Sequence, residues 1–132
     1  FCFERHCFFG SEQEAFLHTN TLPNITIIDQ ETRTTTIIEI SIPFDVHMNK
    51  TYDSKFDKYF PLSLEINQLG FTTNVIVLII GSLGNVHYRF VSGLMKCGLN
   101  KKESNYLAKY CSISSVIGSS KCWKARCRLS KQ

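Results

Sequence analysis

A glutamate among isoleucines constrains the fold of this chain more than any other feature. Glu39 stands in the run TIIEISIPF. An uncompensated buried carboxylate is costly, so this acid requires a hydrogen-bond donor, a cation or a metal ion. The β-branched residues around it favour a strand, whose alternation puts Glu39 on the face opposite to Ile38 and Ile40. We therefore expect Glu39 to point away from the main hydrophobic side.

The hydrophobic pattern predicts strands and helices in one α/β domain. Strands are predicted over residues 24–28, 34–42 and 72–80, with a polar turn at 30–33, and helices over 52–60, 62–69 and 86–96. Pro61 suits the first turn of the second helix. Asn100 is the predicted N-cap of a last helix, with Glu103 in the capping-box position. That helix weakens after Gly118, and one face of it is predicted to carry Leu107, Tyr110, Cys111, Ser114 and Ile117.

Charge divides the chain into two unlike halves. Residues 1–69 carry five Lys or Arg against ten Asp or Glu, and residues 70–132 carry ten against one. A basic half offers counterion release to a polyanion, and an acidic half offers carboxylates for a metal. The alternative is that the halves only neutralise each other.

The remaining composition restricts the cellular setting. The longest apolar run, residues 75–80, has six residues and is far below the roughly 20 that span a bilayer. No signal peptide is recognised, and a start at Phe1 suggests a fragment. The six cysteines avoid the centre of the chain, which favours reduced thiols; three disulfides, or zinc held by the two CxxxxC pairs, are the alternatives.

The centre of the chain resembles a known endonuclease arrangement. It has a proline with one further residue, an acid fifteen positions later and a KxxKY segment on a helix, which correspond to Pro23, Asn24, Glu39, Lys55, Lys58 and Tyr59. This spacing resembles the restriction-enzyme-like endonuclease that follows the reverse transcriptase in polyproteins of site-specific non-LTR retrotransposons. FDKYFPLSLEINQLGF, VIVLIIGSLGNVHYRFVSGL and YLAKYCSISSVIGS also look like that family, so the resemblance covers most of the chain.

The resemblance implies a PD-(D/E)xK nuclease core that uses Mg²⁺. A cation held by two carboxylates activates water, and a lysine orients it or stabilises phosphate charge. By resemblance Glu39 is the second acid, and Lys55, Lys58 and Tyr59 complete the catalytic set. The first acid is replaced by Asn24, which carries no charge and is a weaker ligand for Mg²⁺. We expect an endonuclease-like fold with crippled or lost cleavage, in which Glu39 and Asn24 hold Mg²⁺ if any activity remains.

The basic half supplies the predicted nucleic-acid contacts. They are Arg89, Lys101, Lys102, Lys109, Lys121, Lys124, Arg126 and Arg128. The expected partner is DNA, or the RNA of the element, in the nucleus or elsewhere inside the cell, with neither a membrane nor a small-molecule cofactor. The chain divides into a leader (1–21), an endonuclease-like core (22–81) and a basic helical region of the same domain (82–132). Two alternatives are a non-catalytic nucleic-acid-binding module and a secreted disulfide-bonded factor.

Overall fold

The computed structural model describes residues 6–8 and 23–130. Most of the predicted leader, in residues 1–5 and 9–22, lies outside the described residues, as do 131–132. The elements are β1 (His6–Phe8), β2 (Ile25–Asp29), β3 (Thr34–Ser41), a short 3-10 helix (Asp45–His47), α1 (Met48–Gln68), β4 (Thr72–Ile79), α2 (Phe90–Lys96) and α3 (Lys101–Leu129). None of the helices described is long and apolar enough to cross a membrane.

The described strands form one mixed sheet in the order β1-β2-β3-β4. β1 is antiparallel to β2, and β2 is antiparallel to β3. At the start of β4, the N–H of Thr72 donates to the carbonyl of Arg33 at 2.8 Å. Beyond its end, the N–H of Ile80 donates to the carbonyl of Ser41 at 3.2 Å, so β4 runs parallel to β3. A mixed sheet with flanking helices and a helical C-terminal region confirms the predicted α/β class.

The β2–β3 turn is built by a side chain that mimics the backbone. Asp29 Oδ1 accepts the N–H groups of Glu31 at 3.0 Å and Thr32 at 3.1 Å. Arg33 then takes φ 54°, the left-handed conformation, before β3 begins. The predicted polar turn is confirmed, and it sets the register in which Ile25 pairs with Ile38.

The chain forms two compact units. The first takes in Phe1–Ile40 and Tyr52–Val77, and the second takes in Ser41–Thr51 and Leu78–Gln132. The core of the first unit is formed by Ile37 of β3 together with Tyr59, Leu62 and Ile66 of α1. The partly buried Phe71 and Val75 pack against this core. These α1 residues recur at spacings of three and four, so they share one face of the helix.

In the second unit, α3 meets the turn after β4 through small residues. Three serine hydroxyls donate to carbonyls of this turn: Ser112 to Gly84 at 2.5 Å, Ser115 to Gly81 at 2.8 Å and Ser119 to Ser82 at 2.7 Å. Gly84 has φ +95°, and a Cβ there would lie 2.7 Å from Val116 Cγ2. The close approach therefore requires glycine in the turn and small residues on the helix.

Two helix predictions are wrong in their bounds. The division at Pro61 does not occur, because α1 runs unbroken through it. The proline removes the N–H that would bond the carbonyl of Asp57, and its ring crowds that carbonyl. Asp57 is exposed, so its carbonyl can turn outward and be satisfied by solvent. The helix expected from Val86 begins instead at Phe90.

α3 confirms the predicted start and extends past the predicted weakening. Asn100 Oδ1 accepts the N–H of Glu103 at 2.9 Å, and Glu103 accepts the N–H of Asn100 at 2.9 Å, which completes the capping box. The helix then continues through Gly118 to Leu129. The predicted face with Tyr110 and Ile117 is not the packed one. The buried residues of α3 are Ser104, Ala108 and Ser115.

Candidate active site

Three donors hold the carboxylate of Glu39. The ammonium of Lys55 donates to Oε1 at 2.6 Å, and the hydroxyl of Tyr59 donates to Oε2 at 2.9 Å. The backbone N–H of Asn24 donates to the same Oε2 at 3.3 Å. Because Glu39 is only 4% exposed, these donors supply the compensation that a buried acid requires.

The spacing on α1 brings Lys55 and Tyr59 to the same acid. Residues four apart lie one above the other on a helix, and this stripe continues into Leu62 of the core. Tyr59 is 0% exposed and fixes the helix against β3. The Lys55 side chain is 30% exposed, so its stem enters the site while part of it stays in solvent.

The expected orientation of Glu39 is wrong. Ile37, which shares its face of β3, is 0% exposed and belongs to the core around Tyr59. On the opposite face, Ile38 is buried at 6% exposure, whereas Ile40 is 47% exposed. Alternation correctly separates the two faces, but α1 covers the one that carries the acid. Glu39 therefore lies inside the hydrophobic layer.

Asn24 is engaged with the backbone at the beginning of β2. Its side-chain Oδ1 accepts the N–H of Ile40 at 2.7 Å, while its own N–H reaches Glu39. Asn24 therefore ties β2 to β3 immediately beside the carboxylate. The oxygen that would act as a metal ligand already accepts a backbone hydrogen bond.

Lys58 lies apart from this cluster. It is exposed, and its ammonium lies 5.1 Å from the centroid of the Tyr59 ring. This cation–π contact places Lys58 beside the ring of Tyr59, whereas the hydroxyl of that tyrosine faces Glu39. The catalytic roles of Glu39, Lys55, Lys58 and Tyr59 stay predictions.

Burial controls the ionisation of Tyr59. Desolvation raises the pKa of its hydroxyl far above the ordinary value, and the hydrogen bond and charge of Glu39 raise this pKa further. Tyr59 is therefore protonated at neutral pH and acts as a hydrogen-bond donor. It can orient the carboxylate of Glu39, but it is unsuited to act as a general base.

The side chains of this cluster do not fit an Mg²⁺ site. Magnesium prefers carboxylate oxygens in octahedral geometry. Both oxygens of Glu39 accept protein donors, and the position that would supply a second carboxylate is Asn24. Across residues 23–130, no group of three His, Cys, Asp or Glu side chains is placed to hold a metal ion.

All the predicted nucleic-acid contacts are exposed. Arg89 stands just before α2, with its guanidinium 5.3 Å from the Tyr88 ring centroid. The others lie on α3: Lys101, Lys102, Lys109, Lys121, Lys124, Arg126 and Arg128. Glu103 is the one acidic residue of that helix, so α3 presents strong positive charge.

Three aromatic side chains of α3 are exposed, including Tyr110, which was expected on the same face as Leu107. Tyr106 is 73% exposed, Tyr110 is 61% exposed and Trp123 is 67% exposed. The signal that could have found them is the row Ser104, Ala108 and Ser115, because small residues at helical spacing allow a close contact and leave larger ones outside.

Asp45 and His87 have structural roles that their sequence context does not indicate. Asp45 accepts the N–H groups of Leu83 at 2.7 Å and Asn85 at 3.2 Å, and so holds the turn after β4. His87 is 4% exposed; its Nδ1 accepts the N–H of Arg89 at 3.3 Å. Its Nε2 therefore carries the proton that is donated to Asn49 Oδ1 at 3.0 Å.

Comparison with known proteins gives one similar solved structure to describe. It is an N-terminal domain of a reptarenavirus L protein, at 19% sequence identity and a TM-score of 0.41. The match covers 76% of this chain and 58% of the viral domain, so this chain spans less than two thirds of the length of the viral domain. No protein-family model matches the chain, and no curated protein matches it.

Proposed function

We propose that this chain is the endonuclease-like part of a non-LTR retrotransposon polyprotein and that it binds nucleic acid without cleaving it. The retrotransposon origin rests on the resemblance of its central segments to that family. In such an element the ancestral activity is the nicking of target DNA in the nucleus. The retained activity proposed here is binding to DNA, or to the RNA of the element.

The main support for the loss of cleavage is that protein donors engage both carboxylate oxygens of Glu39. Lys55 and Tyr59 each occupy one of its carboxylate oxygens, and the backbone N–H of Asn24 shares one of them. A metal-dependent nuclease needs carboxylate oxygens that are free to bind the cation. With Asn24 in place of the first acid, Lys55 supplies the only nearby positive charge among the described contacts, and the cluster acts as an internal ion pair.

The basic side chains of α3 support binding. Lysine and arginine side chains that neutralise phosphates release condensed counterions, which gives affinity without base recognition. Seven exposed basic residues against one acid on a single helix provide such a surface. Binding should therefore fall steeply with salt and be indifferent to removal of divalent metal.

A cleavage assay with Mg²⁺ or Mn²⁺ on wild type and Asn24→Asp tests the catalytic half of this proposal. We expect no metal-dependent nicking by wild type. We expect Asn24→Asp to gain metal binding measured by calorimetry, because it restores a second carboxylate beside Glu39. The double variant Asn24→Asp with Glu39→Gln is the matched control and should lose that gain.

Three outcomes would contradict parts of the proposal. Robust nicking by wild type would show that Asn24 does not disable the site. Absence of any gain in Asn24→Asp would count against descent from a metal-dependent nuclease. Nucleic-acid binding that ignores salt would remove the second half, since phosphate contacts are inherently salt-sensitive.

A further inference from the structure

The outward side of α3 carries large side chains that its packing does not use. Its buried positions, Ser104, Ala108 and Ser115, define the packed face. At 100° per residue, Tyr106 and Tyr110 fall on the opposite side of the helix, in line with Ile113 and Ile117. All four of these are at least half exposed: 73%, 61%, 52% and 50%. No described element covers this stripe.

Positive charge extends the same stripe toward the end of α3. Lys121, Lys124 and Arg128 follow at spacings of three and four, so they continue the line of Tyr110 and Ile117. All three are exposed. Trp123 is 67% exposed but lies off this line, because it is turned about 100° around the helix from Lys124. From Tyr106 to Arg128 the surface measures about 33 Å at the rise of an α-helix.

We infer that this face of α3 binds single-stranded nucleic acid, with Tyr106 and Tyr110 as stacking platforms for bases and Lys121, Lys124 and Arg128 as phosphate contacts. The inference rests on the proposed nucleic-acid binding and adds the strand state of the partner. It also assigns aromatic residues to the interface, where the sequence indicated basic ones alone.

Exposed rings select for unpaired strands. A base in a duplex has both of its faces covered by stacked neighbours, whereas a base in a single strand can stack on a protein aromatic ring. Duplex DNA would use the lysines and arginines and leave Tyr106 and Tyr110 in solvent. Aromatic rings combined with a basic surface are typical of proteins that track single strands.

The charge of α3 disfavours the obvious protein occupant of the stripe. A second copy of the chain would bring a second helix with seven basic residues and one acid against the first. Like charges at that distance repel, and a polyanion is the complementary partner. A protein partner with an acidic helix is treated as an outcome of the test.

Fluorescence anisotropy with labelled oligothymidylate and with a duplex of equal length tests the inference. We expect wild type to bind the single strand more tightly. Tyr106→Ala with Tyr110→Ala should weaken single-strand binding by roughly tenfold or more and leave duplex binding nearly unchanged. Phe60→Ala is the matched control, since Phe60 is 52% exposed on α1, outside this face. Circular dichroism checks that each variant keeps its helix content.

The basic end of the stripe has a test of its own. The variant Lys121→Ala with Lys124→Ala should shift oligothymidylate binding to higher oligonucleotide concentration, because it removes two phosphate contacts.

The outcomes separate this inference from the proposed function. Equal affinity for both forms, with no effect of the tyrosine substitutions, would overturn the stacking role while leaving nucleic-acid binding intact; α3 would then contact phosphates or dock a protein. Absence of salt-sensitive binding to either form would overturn both proposals together.

Discussion

At the scale of single residues, the hydrogen-bond donors around Glu39 explain how its charged carboxylate is accommodated in a hydrophobic layer. Its carboxylate has a charged donor in Lys55 and neutral donors in Tyr59 and Asn24. A buried pair of this kind contributes little net stability, but removal of one partner leaves the other uncompensated. The two members differ in exposure, so the consequences of removing them should differ as well.

Removing Lys55 should cost more than neutralising Glu39. Lys55→Met leaves a buried carboxylate without its cation, and we expect a loss of about 2–4 kcal/mol in the free energy of unfolding. Glu39→Gln keeps the shape and leaves a lysine that can turn to solvent, so we expect about 1–2 kcal/mol. Urea denaturation of both variants and of the double variant measures this. An equal or reversed order would contradict the account of the ion pair.

Tyr59→Phe should destabilise the protein in a manner that depends on pH. Loss of the buried hydroxyl should cost about 1–2 kcal/mol at neutral pH. Because folding raises the pKa of Tyr59, its contribution is complete below the unfolded pKa and is lost as pH rises through the folded one. The difference between wild type and variant should therefore narrow above about pH 10.

Denaturation curves from pH 7 to strongly alkaline pH check this prediction, with Tyr110→Phe as the control. Tyr110 is 61% exposed, so its hydroxyl is solvated and its removal should change stability little. If the difference in the free energy of unfolding between wild type and Tyr59→Phe stayed constant across the alkaline range, the hydroxyl of Tyr59 would not be a buried donor to Glu39.

At the scale of elements, close packing decides which face of α3 turns inward. The helix reaches the turn after β4 through serine hydroxyls, and larger side chains would hold the backbones apart. Gly84 and Gly118 illustrate the difference. A Cβ at Gly84 would meet Val116 at 2.7 Å, whereas one at Gly118 would meet nothing within 4 Å.

Alanine at these two glycines should act in opposite directions. Gly84→Ala should lower the free energy of unfolding by about 1–3 kcal/mol, because φ +95° is unfavourable for alanine and the turn meets α3. Gly118→Ala should raise the free energy of unfolding by about 0.5–1 kcal/mol, because alanine has a higher helix propensity than glycine at an exposed position inside a helix. Thermal unfolding of both variants tests this prediction. If Gly118→Ala lowered the stability, Gly118 would not lie on an open surface of the helix.

At the scale of the whole molecule, the separation of charge follows the order of the chain. The acidic residues are concentrated before residue 70, and α3 carries most of the positive charge after it. Nucleic-acid affinity should therefore depend on a short part of the sequence. The slope of log affinity against log salt concentration is proportional to the number of phosphates that the protein neutralises.

Replacing Lys121, Lys124 and Arg128 with alanine should flatten the salt dependence of binding. Each lost phosphate contact lowers the slope of log affinity against log salt by about 0.7 for a single strand, so the triple variant should lose about 2. Titrations at several salt concentrations measure the slope. Lys50→Ala is the control, because Lys50 is exposed on α1 in the acidic half. An unchanged slope in the triple variant would exclude these contacts.

Local patterns were sufficient to predict the main parts of the site. Alternation marked the strand of Glu39, and helical spacing put Lys55 and Tyr59 on one stripe. That this stripe would meet the acid was implied by the family resemblance. The capping box at Asn100 and the turn before β3 were also readable, because hydrogen bonds between near neighbours decide them.

Contacts between distant segments decided the rest. Alternation divides β3 into two faces, but only the placement of α1 makes the face of Glu39 the covered one, because burial depends on what packs against a strand. In the same way, helical spacing divides α3 into faces, and the approach of the Gly81–Gly84 turn selects the serine row and leaves Tyr106 and Tyr110 outside. Periodicity predicts which residues share a face of a strand or helix. Packing between segments that are far apart in the chain determines which of those faces is buried.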